Sequence, residues 1–518
     1  MAADDVTSLD DVDYPGGFYR ELSPAHINFI CAINGVEGPD LGNEFTYCEL
    51  GCGTGETTAC LADSHPRSRF YGIDLSPSHI EQAEALARAG GVSNATFVQA
   101  DIAAMDPDAL PDFDYITMHG LYAWVPAEVQ AAIGRLCAHK LKPGGVVYLS
   151  YNALPGWGSV AALQRFFVDR AARLPGDPLE QVQAIVGELQ ELRAQGAPCF
   201  HDHPVAANVL DRLLTADPRY IAHEYLSPFW QPRSFAEVFD AMVAAGLEYV
   251  GEGDVINNLL EHSVAPAFAE RLGRITDARE RELYRDFIQN RFFRRDIYTK
   301  PDPGRPRVGG DGPLRRMLFT LIADPAQIPD IIDIVGAPSI KLGGAWLARL
   351  KQLLGYRVLT LDEILADDQL RACNQAELVE GVELLAAGGF CVPCLRRETE
   401  PPRTPAERIR VIPRLNRVRL ERHAWSEAGF TLVSPVTGSA LTLNPLETAL
   451  LISLQHSDPL DWLGPQLDAH GMQLQSSADD NKVVTGEAAS QDALQGAMRQ
   501  FLRYKLPKLA YLGTVEHA

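Results

Sequence analysis

Apolar and polar positions along the first half of the chain follow two alternating rhythms. Short runs rich in strand-formers, "EFTYCEL", "SRFYGIDLS", "ATFVQADI" and "DFDYITM", are separated by stretches of helical character. "ETTACLADSHP" reads as the start of a helix with one apolar face. Val129, Ile133 and Leu136 keep helical spacing in "PAEVQAAIGRLCAHKL", and "KPGGVVYLSYN" is a turn into a fifth strand. Strands that alternate with helices predict an α/β fold with a doubly wound sheet. Two more strands are expected: "DPRYIAHEYLS" fits a sixth, and "RSFAEVFDAMVAAGLEYVGEGDV" fits a helix, a glycine stop and the last strand. Residues 158–215 between them carry mostly helical patterns. This insertion would lie over the strand ends, where such sheets bind ligands, and is a candidate substrate cover.

The pattern changes after residue 260. "DARERELYRDFIQNRFFRRD" reads as a charged helix and "YTKPDPGRPRVGGDGP" as a Pro/Gly-rich boundary. "LTLDEILADDQLRACNQAELVEGVELLAAGGFCVP" predicts helix, helix, strand. "FTLVSPVTGSALTLNPLETALLISL" with "PLDWLGPQLDAHG" predicts strands, then helices. Both read as small α+β, winged-helix-like modules, joined by the linker "RETEPPRTPAER". The division expected is 1–260, 261–400 and 401–518, and 518 residues are too many for one ordinary domain. The bland role for the two modules is packing or homodimer formation.

Composition narrows the class. With 46% hydrophobic and 22% charged residues the chain reads as globular and soluble. Its formal charge of −22 disfavours nucleic acid as a partner. The opening "MAADDVTSLDDVD" lacks the apolar core of a signal peptide, and no apolar run is long enough to span a bilayer. Nine cysteines in a chain this long are no disulfide framework, so the cytoplasm is the default compartment.

The chemistry concentrates in "YCELGCGTGETTAC". Gly51, Gly53 and Gly55 lie on a strand–loop–helix turn, where backbone must approach a ligand closely. A dinucleotide fingerprint needs G-x-G-x-x-G, but Glu56 stands where the third glycine should be. Glu49 ends the strand and would repel a pyrophosphate, whereas it would welcome a cation. S-adenosylmethionine (SAM) carries no phosphate but has an ammonium and a sulfonium. Asp74 ends the second strand, where a carboxylate meets ribose hydroxyls, and Asp101 ends the third, placed for an adenine amino group. With the neighbours Cys52, Leu75 and Ile102, these residues predict a SAM site in a Rossmann-like, seven-stranded core of the class I methyltransferase type. Cys48, Cys52 and Cys60 lack zinc-site spacing and read as buried small apolar thiols. "CVPC" (Cys391, Cys394) and "CFHDHP" have no partner pairs, so no metal is expected.

Tyr14, Tyr122, Trp124, Tyr151 and Asn152 are the candidates to line a desolvated acceptor pocket, each with core packing as its plain alternative. His119 has two functional readings, cofactor contact or general base for a hydroxyl acceptor. Glu224 is read as a partner of His223, a support for the acceptor, or a cap of the insertion. The fourth strand lacks the Asn/Asp-Pro-Pro-aromatic tetrad that grips a flipped base.

"YPGGFY…SPAH", "ELGCGTG", "YGIDLS", "HGLYAWVP…VQ", "LKPGGVVYLSYNALPGW" and "HEYL…F…AGLEYVG" together resemble one bacterial family. These are methyltransferases with a methyltransferase regulatory domain, among them rickettsial protein-lysine methyltransferases that act on an outer membrane protein. The resemblance spans roughly residues 14–260 and continues more loosely into "FIQNRFFRRD". It implies a SAM-dependent activity on a protein substrate with an accessible lysine. The rivals are a small-molecule methyltransferase, O-directed through His119, and a SAM-binding scaffold.

Overall fold

The computed structural model describes residues 17–304, 310–344, 346–397, 408–423, 425–426, 429–470 and 487–517. Its main sheet is built from β1 (Thr46–Leu50), β2 (Arg69–Asp74), β3 (Ala95–Gln99), β4 (Phe113–Met118), β5 (Leu141–Asn152), β6 (Glu248–Glu252) and β7 (Phe293–Thr299). The strand order is β3-β2-β1-β4-β5-β7-β6. The first five strands run parallel, and β7 is antiparallel to both β5 and β6. Helices α1 (Pro24–Ile33), α2 (Glu56–Ser64), α3 (Pro77–Gly90) and α4 (Ala127–Lys140) accompany the parallel part. The end of β5 is buried without a break from Gly145 to Ala153, the pattern of a central strand covered on both faces.

The insertion is helical, as expected, but longer. After a single turn at Gly156–Ser159 come α5 (Ala161–Ala171), α6 (Pro178–Ala194), α7 (Pro198–Asp202), α8 (Pro204–Leu213) and α9 (Pro218–Tyr225), then α10 (Phe235–Ala244) of the sheet layer. "DPRYIAHEYLS" is therefore α9 and not a strand. Asp217 accepts from the Arg219 N–H at 2.8 Å and Pro218 takes the first helical position, a start signal that outweighs the strand-formers after it. The buried positions Ile221, Ala222, Glu224 and Tyr225 are one helical face. The insertion has its own core, centred on Phe167, Val182, Ile185 and Leu210.

The missing strand comes from the segment read as a charged helix. That helix is real only over Ala278–Gln289. It stops at Asn290 in the left-handed conformation (φ 47°), and "FRRDIYT" continues as β7. The sheet domain thus reaches at least Thr299, not residue 260. Arg294 on β7 is wholly buried, and its charge is met by three carboxylates. Asp296 accepts from its Nε at 3.0 Å, Glu282 accepts at 3.2 Å, and Asp286 takes a third hydrogen bond.

Two smaller bodies follow. The middle one pairs Leu318–Leu321 with Leu359–Thr360 and with Cys391–Cys394, under helices Trp346–Tyr356 and Gln375–Ala387. Its core is continuous with that of the sheet domain through α1, where the rings of Phe29 and Phe319 meet edge to face at 5.4 Å. Cys391 and Cys394 are buried strand residues there. The C-terminal one holds helix Arg414–His423, a hairpin of Phe430–Ser434 with Ser439–Leu443, and further helices. Most of the expected linker, residues 398–407, lies outside the described residues. Among the described residues no helix is long and apolar enough to cross a membrane.

Removing one partner from a buried charge cluster strands the others, which costs about 3–5 kcal/mol. Arg294→Met should lower the unfolding free energy of the sheet domain by that amount. Denaturant titration checks this, and a loss under about 1 kcal/mol would show that the cluster is not what holds β7 in place.

Candidate active site

The ends of β1, β2, β4 and β5 open onto one cavity of about 760 Å³, within the range of small-molecule sites. One end is the glycine turn. Gly51, Gly53 and Gly55 all have positive φ (69°, 52° and 71°), a conformation that side chains with a Cβ rarely take. The Gly51 and Cys52 N–H groups donate to the Ile73 carbonyl at 2.8 and 3.1 Å, which ties the turn to β2. A Cβ on Gly53 would meet nothing within 4 Å, so the loop leaves open space there. Gly55 is different: a Cβ would strike Ala83 at 2.5 Å and Phe97 at 2.6 Å, so its smallness serves packing behind the loop.

Two predicted acids line this end. Glu49 is only 4% exposed, and Thr58 of α2 donates a very short hydrogen bond to it. Burial raises its carboxyl to about 7, partly countered by Thr58, and the negative charge of Asp74 adds to the rise. Asp74 is also mostly buried, which disfavours its charge. Hydrogen bonds from His79, from the Ser76 N–H at 3.0 Å and from the Gly53 N–H at 2.8 Å outweigh this and hold it below the usual range. The site thus presents one carboxylate whose pKa is held below the usual range and one that titrates near neutrality. Cys52 lines the cavity as a buried thiol pushed well up by desolvation, so it is no nucleophile.

Asp101, Leu75 and Ile102 are not among the cavity-lining residues. The Ala100 N–H donates to the Asp74 carbonyl at 2.9 Å, which sets the chain at residue 100 beside the end of β2. Leu75 is 57% exposed, and the Asp101 carboxylate accepts from the Ala103 N–H at 2.8 Å.

His119, just past β4, lines the cavity and stacks on Tyr19 with ring centroids 4.1 Å apart. Its Nδ1 lies 3.3 Å from the Tyr148 hydroxyl. Burial drives its pKa down to about 4, so the ring is neutral at physiological pH. Tyr14 lies outside the described residues; Tyr19, five residues on, is the aromatic that reaches the cavity.

The other end of the cavity is the candidate acceptor chamber. Asn152, at the end of β5, donates to Glu224 Oε1 at 2.8 Å, and both line the space with Trp124 and Trp157. Glu224 is 8% exposed, and burial lifts its carboxyl to about 7 against the hydrogen bond from Asn152. Tyr151 and Tyr122 do not take part. Side chains alternate along a strand, so where Asn152 faces the cavity Tyr151 faces the sheet's interior and donates to Asp296 at 2.6 Å. Tyr122 packs in the core beside Ile133 and Met242. The insertion supplies Leu213, Tyr220 and Tyr225, and β7 with its preceding residue supplies Phe292, Phe293 and Arg295. None of these was a sequence candidate. The helical phase of "PRYIAHEY", with Glu224 and Tyr225 on its buried face, is the signal that would have found the α9 members.

The groups present suit SAM: a glycine loop with room above it, carboxylates for its cationic and hydroxyl groups, and a chamber beyond. Residues 48–145 match the family described as "Methyltransferase domain", and residues 217–300 match "Predicted methyltransferase regulatory domain". An uncharacterised protein of Synechocystis is 27% identical over 97% of this chain and 98% of its own length. An uncharacterised protein of Rickettsia prowazekii is 28% identical over 58% of this chain and 53% of its own length. PKMT2 from Rickettsia typhi, solved in complex with AdoHcy, shares the fold, with a TM-score of 0.69 at 20% identity over 95% of this chain and 100% of that one. The chain is a SAM-dependent methyltransferase, and its residues 217–300 match the model of a predicted regulatory domain of such enzymes.

A cationic ligand needs Glu49 ionised, and protons compete for it below about pH 7. SAM affinity should therefore weaken as pH falls from 7 to 5.5, approaching tenfold per unit. Calorimetry should show this slope lost in Glu49→Gln; a flat wild-type profile would refute the assignment. Asp74→Ala should weaken SAM by about 1.5–3 kcal/mol, the worth of charge-assisted hydrogen bonds.

Proposed function

We propose that this methyltransferase acts on lysine side chains of a protein. The observation that carries the reading is Glu224, a buried carboxyl oriented by Asn152 at the far end of the cofactor cavity. A lysine arrives as an ammonium with an ordinary pKa of about 10.4 and must lose a proton before its nitrogen can attack. Aromatic walls from Trp124, Trp157, Tyr220 and Tyr225 exclude water and attract a cation. Desolvation lowers the lysine pKa as it raises that of Glu224, so the two converge. The ionised Glu224 first pairs with the ammonium and then accepts its proton, leaving a neutral amine and a neutral acid. When bound, SAM supplies a methyl group on a sulfonium, activated for in-line displacement. Asn152 keeps the Glu224 carboxyl aimed, and the walls hold the amine in line.

His119 is a poor base at neutral pH because burial holds it near 4, which weakens the hydroxyl-acceptor reading. The fold likeness to PKMT2 and the sequence resemblance to rickettsial protein-lysine methyltransferases support the same acceptor class. The formal net charge of −22 suits a basic protein substrate.

The test is to incubate the protein with labelled SAM and a cell extract and to identify labelled species by mass spectrometry. Methylated lysine in protein is expected; label confined to small molecules overturns the proposal. On the identified substrate, Glu224→Gln should lower kcat by about 10²–10⁴ near neutral pH. The variant's rate should recover as pH rises toward the acceptor's own pKa. His119→Ala should leave the shape of the pH profile unchanged.

A further inference from the structure

Glu56 is the first residue of α2, directly after the glycine turn, and lines the cofactor cavity beside Glu49 and Asp74. It is a third carboxylate at a site whose ligand carries a carboxylate of its own on the methionyl group. Left unanswered, that charge would repel the ligand. The answering charge comes from the other end of the chain. Arg419, on helix Arg414–His423 of the C-terminal body, donates from Nε to Glu56 Oε1 at 3.0 Å and from one terminal nitrogen to the same oxygen. Its other donors go to Thr431, to the carbonyl at 2.6 Å and to the hydroxyl at 2.8 Å, and the guanidinium lies 5.0 Å over the Phe430 ring. The pair is nearly dry, with side-chain exposures of 3% for Arg419 and 12% for Glu56. A planar fork fixed on three sides cannot drift as a surface arginine would.

The surrounding contact is built to match. Leu415 and Val433 share a core with Cys52, Ala83 and Phe97, the underside of the glycine loop. Leu415 also lies so close to α3 that a Cβ on Gly90 would approach its Cδ1 to 2.5 Å. Neither family match reaches these C-terminal residues.

We infer that the C-terminal body sets cofactor affinity through Arg419, a positioning residue that neutralises Glu56 and holds it away from the ligand's carboxylate. Displacing that body would free the Glu56 charge and weaken SAM without touching the acceptor chamber. The inference concerns the cofactor alone and stands whether or not lysine is the acceptor.

The experiment measures binding of SAM, AdoHcy and adenosine to the full chain by calorimetry. Arg419→Met should weaken SAM and AdoHcy about tenfold, the scale of one poorly screened charge, and leave adenosine, which lacks the carboxylate, unchanged. The KM for SAM should rise in step while kcat at saturating SAM holds. Adding Glu56→Gln to Arg419→Met should restore SAM affinity to within about threefold of the wild type, where a merely structural arginine would allow no rescue. Unchanged SAM binding in Arg419→Met, equal loss of adenosine, or failure of the double variant to recover would overturn the inference. Should Arg419→Met fail to fold, Glu56→Gln alone decides: affinity equal to or tighter than wild type supports it, and weaker affinity refutes it.

Discussion

The acceptor side of the cavity depends on a charge buried between the last strands of the sheet. Arg294 lies on β7, between β5 and β6, with no solvent contact. A lone guanidinium there would be prohibitive. It is tolerated because Asp286, Asp296 and Glu282 converge on it, and because Tyr151 donates to Asp296 from β5. Neighbouring pairs, Arg291 with Glu252 and Arg285 with Glu282, extend the cluster to β6 and to helix Ala278–Gln289. A buried cluster of this kind is a weak source of net stability compared with apolar packing, but it is demanding of geometry. A shift of β7 by one residue would turn Arg294 and Asp296 together to the opposite face and leave Glu282 and Asp286, on helix Ala278–Gln289, without their cation. The register is thereby fixed.

That register has a direct consequence for the cavity. Phe293 pairs with Asn152 at the last rung of the β5–β7 ladder. The same rung therefore puts an aromatic wall beside the residue that orients Glu224. Tyr151, one position back, is spent on the charge cluster. A residue that reads as a pocket aromatic is thus a structural tie, while its neighbour faces the chemistry. Trp157, on the turn that leads into the insertion, shares the insertion's core and meets Phe292 with ring centroids 5.9 Å apart, which ties α5–α9 to the start of β7.

Much of this was legible in the sequence, and the rest was hidden for different physical reasons. The parallel strands, the glycine turn and its acids follow from local pattern, because periodicity and turn chemistry act over a few residues. Glu49, Asp74, His119, Trp124 and Asn152 line the cavity as their strand-end positions suggest. β7 was missed because "FRRD" carries charges that read as a solvated surface, and only the carboxylates of the preceding helix, together with Asp296 of the strand itself, make Arg294 interior. α9 was missed because its Asp-Pro start was given less weight than the aromatic and β-branched residues behind it. Phe292 and Phe293 became visible only with β7, since nothing local distinguishes them from core. Arg419 is separated from Glu56 by 363 positions, so no local reading could pair them.

The cavity gathers four carboxylates in a chain already at −22, and each is handled by a different device. Asp74 is held charged by backbone N–H groups and His79. Glu49 is left poised near neutrality, with one hydroxyl donor, so that a cation can claim it. Glu224, poised likewise, is held among the described residues by the amide of Asn152, a neutral partner that orients without neutralising. Glu56 alone receives a full opposite charge, from Arg419. The gradation follows function: a carboxylate that must meet a cation keeps its charge uncompensated by protein, and one that would only repel the ligand is cancelled. A single arginine from a separate body is enough to make that distinction, which is why the far end of the chain belongs to the cofactor site as much as the glycine turn does.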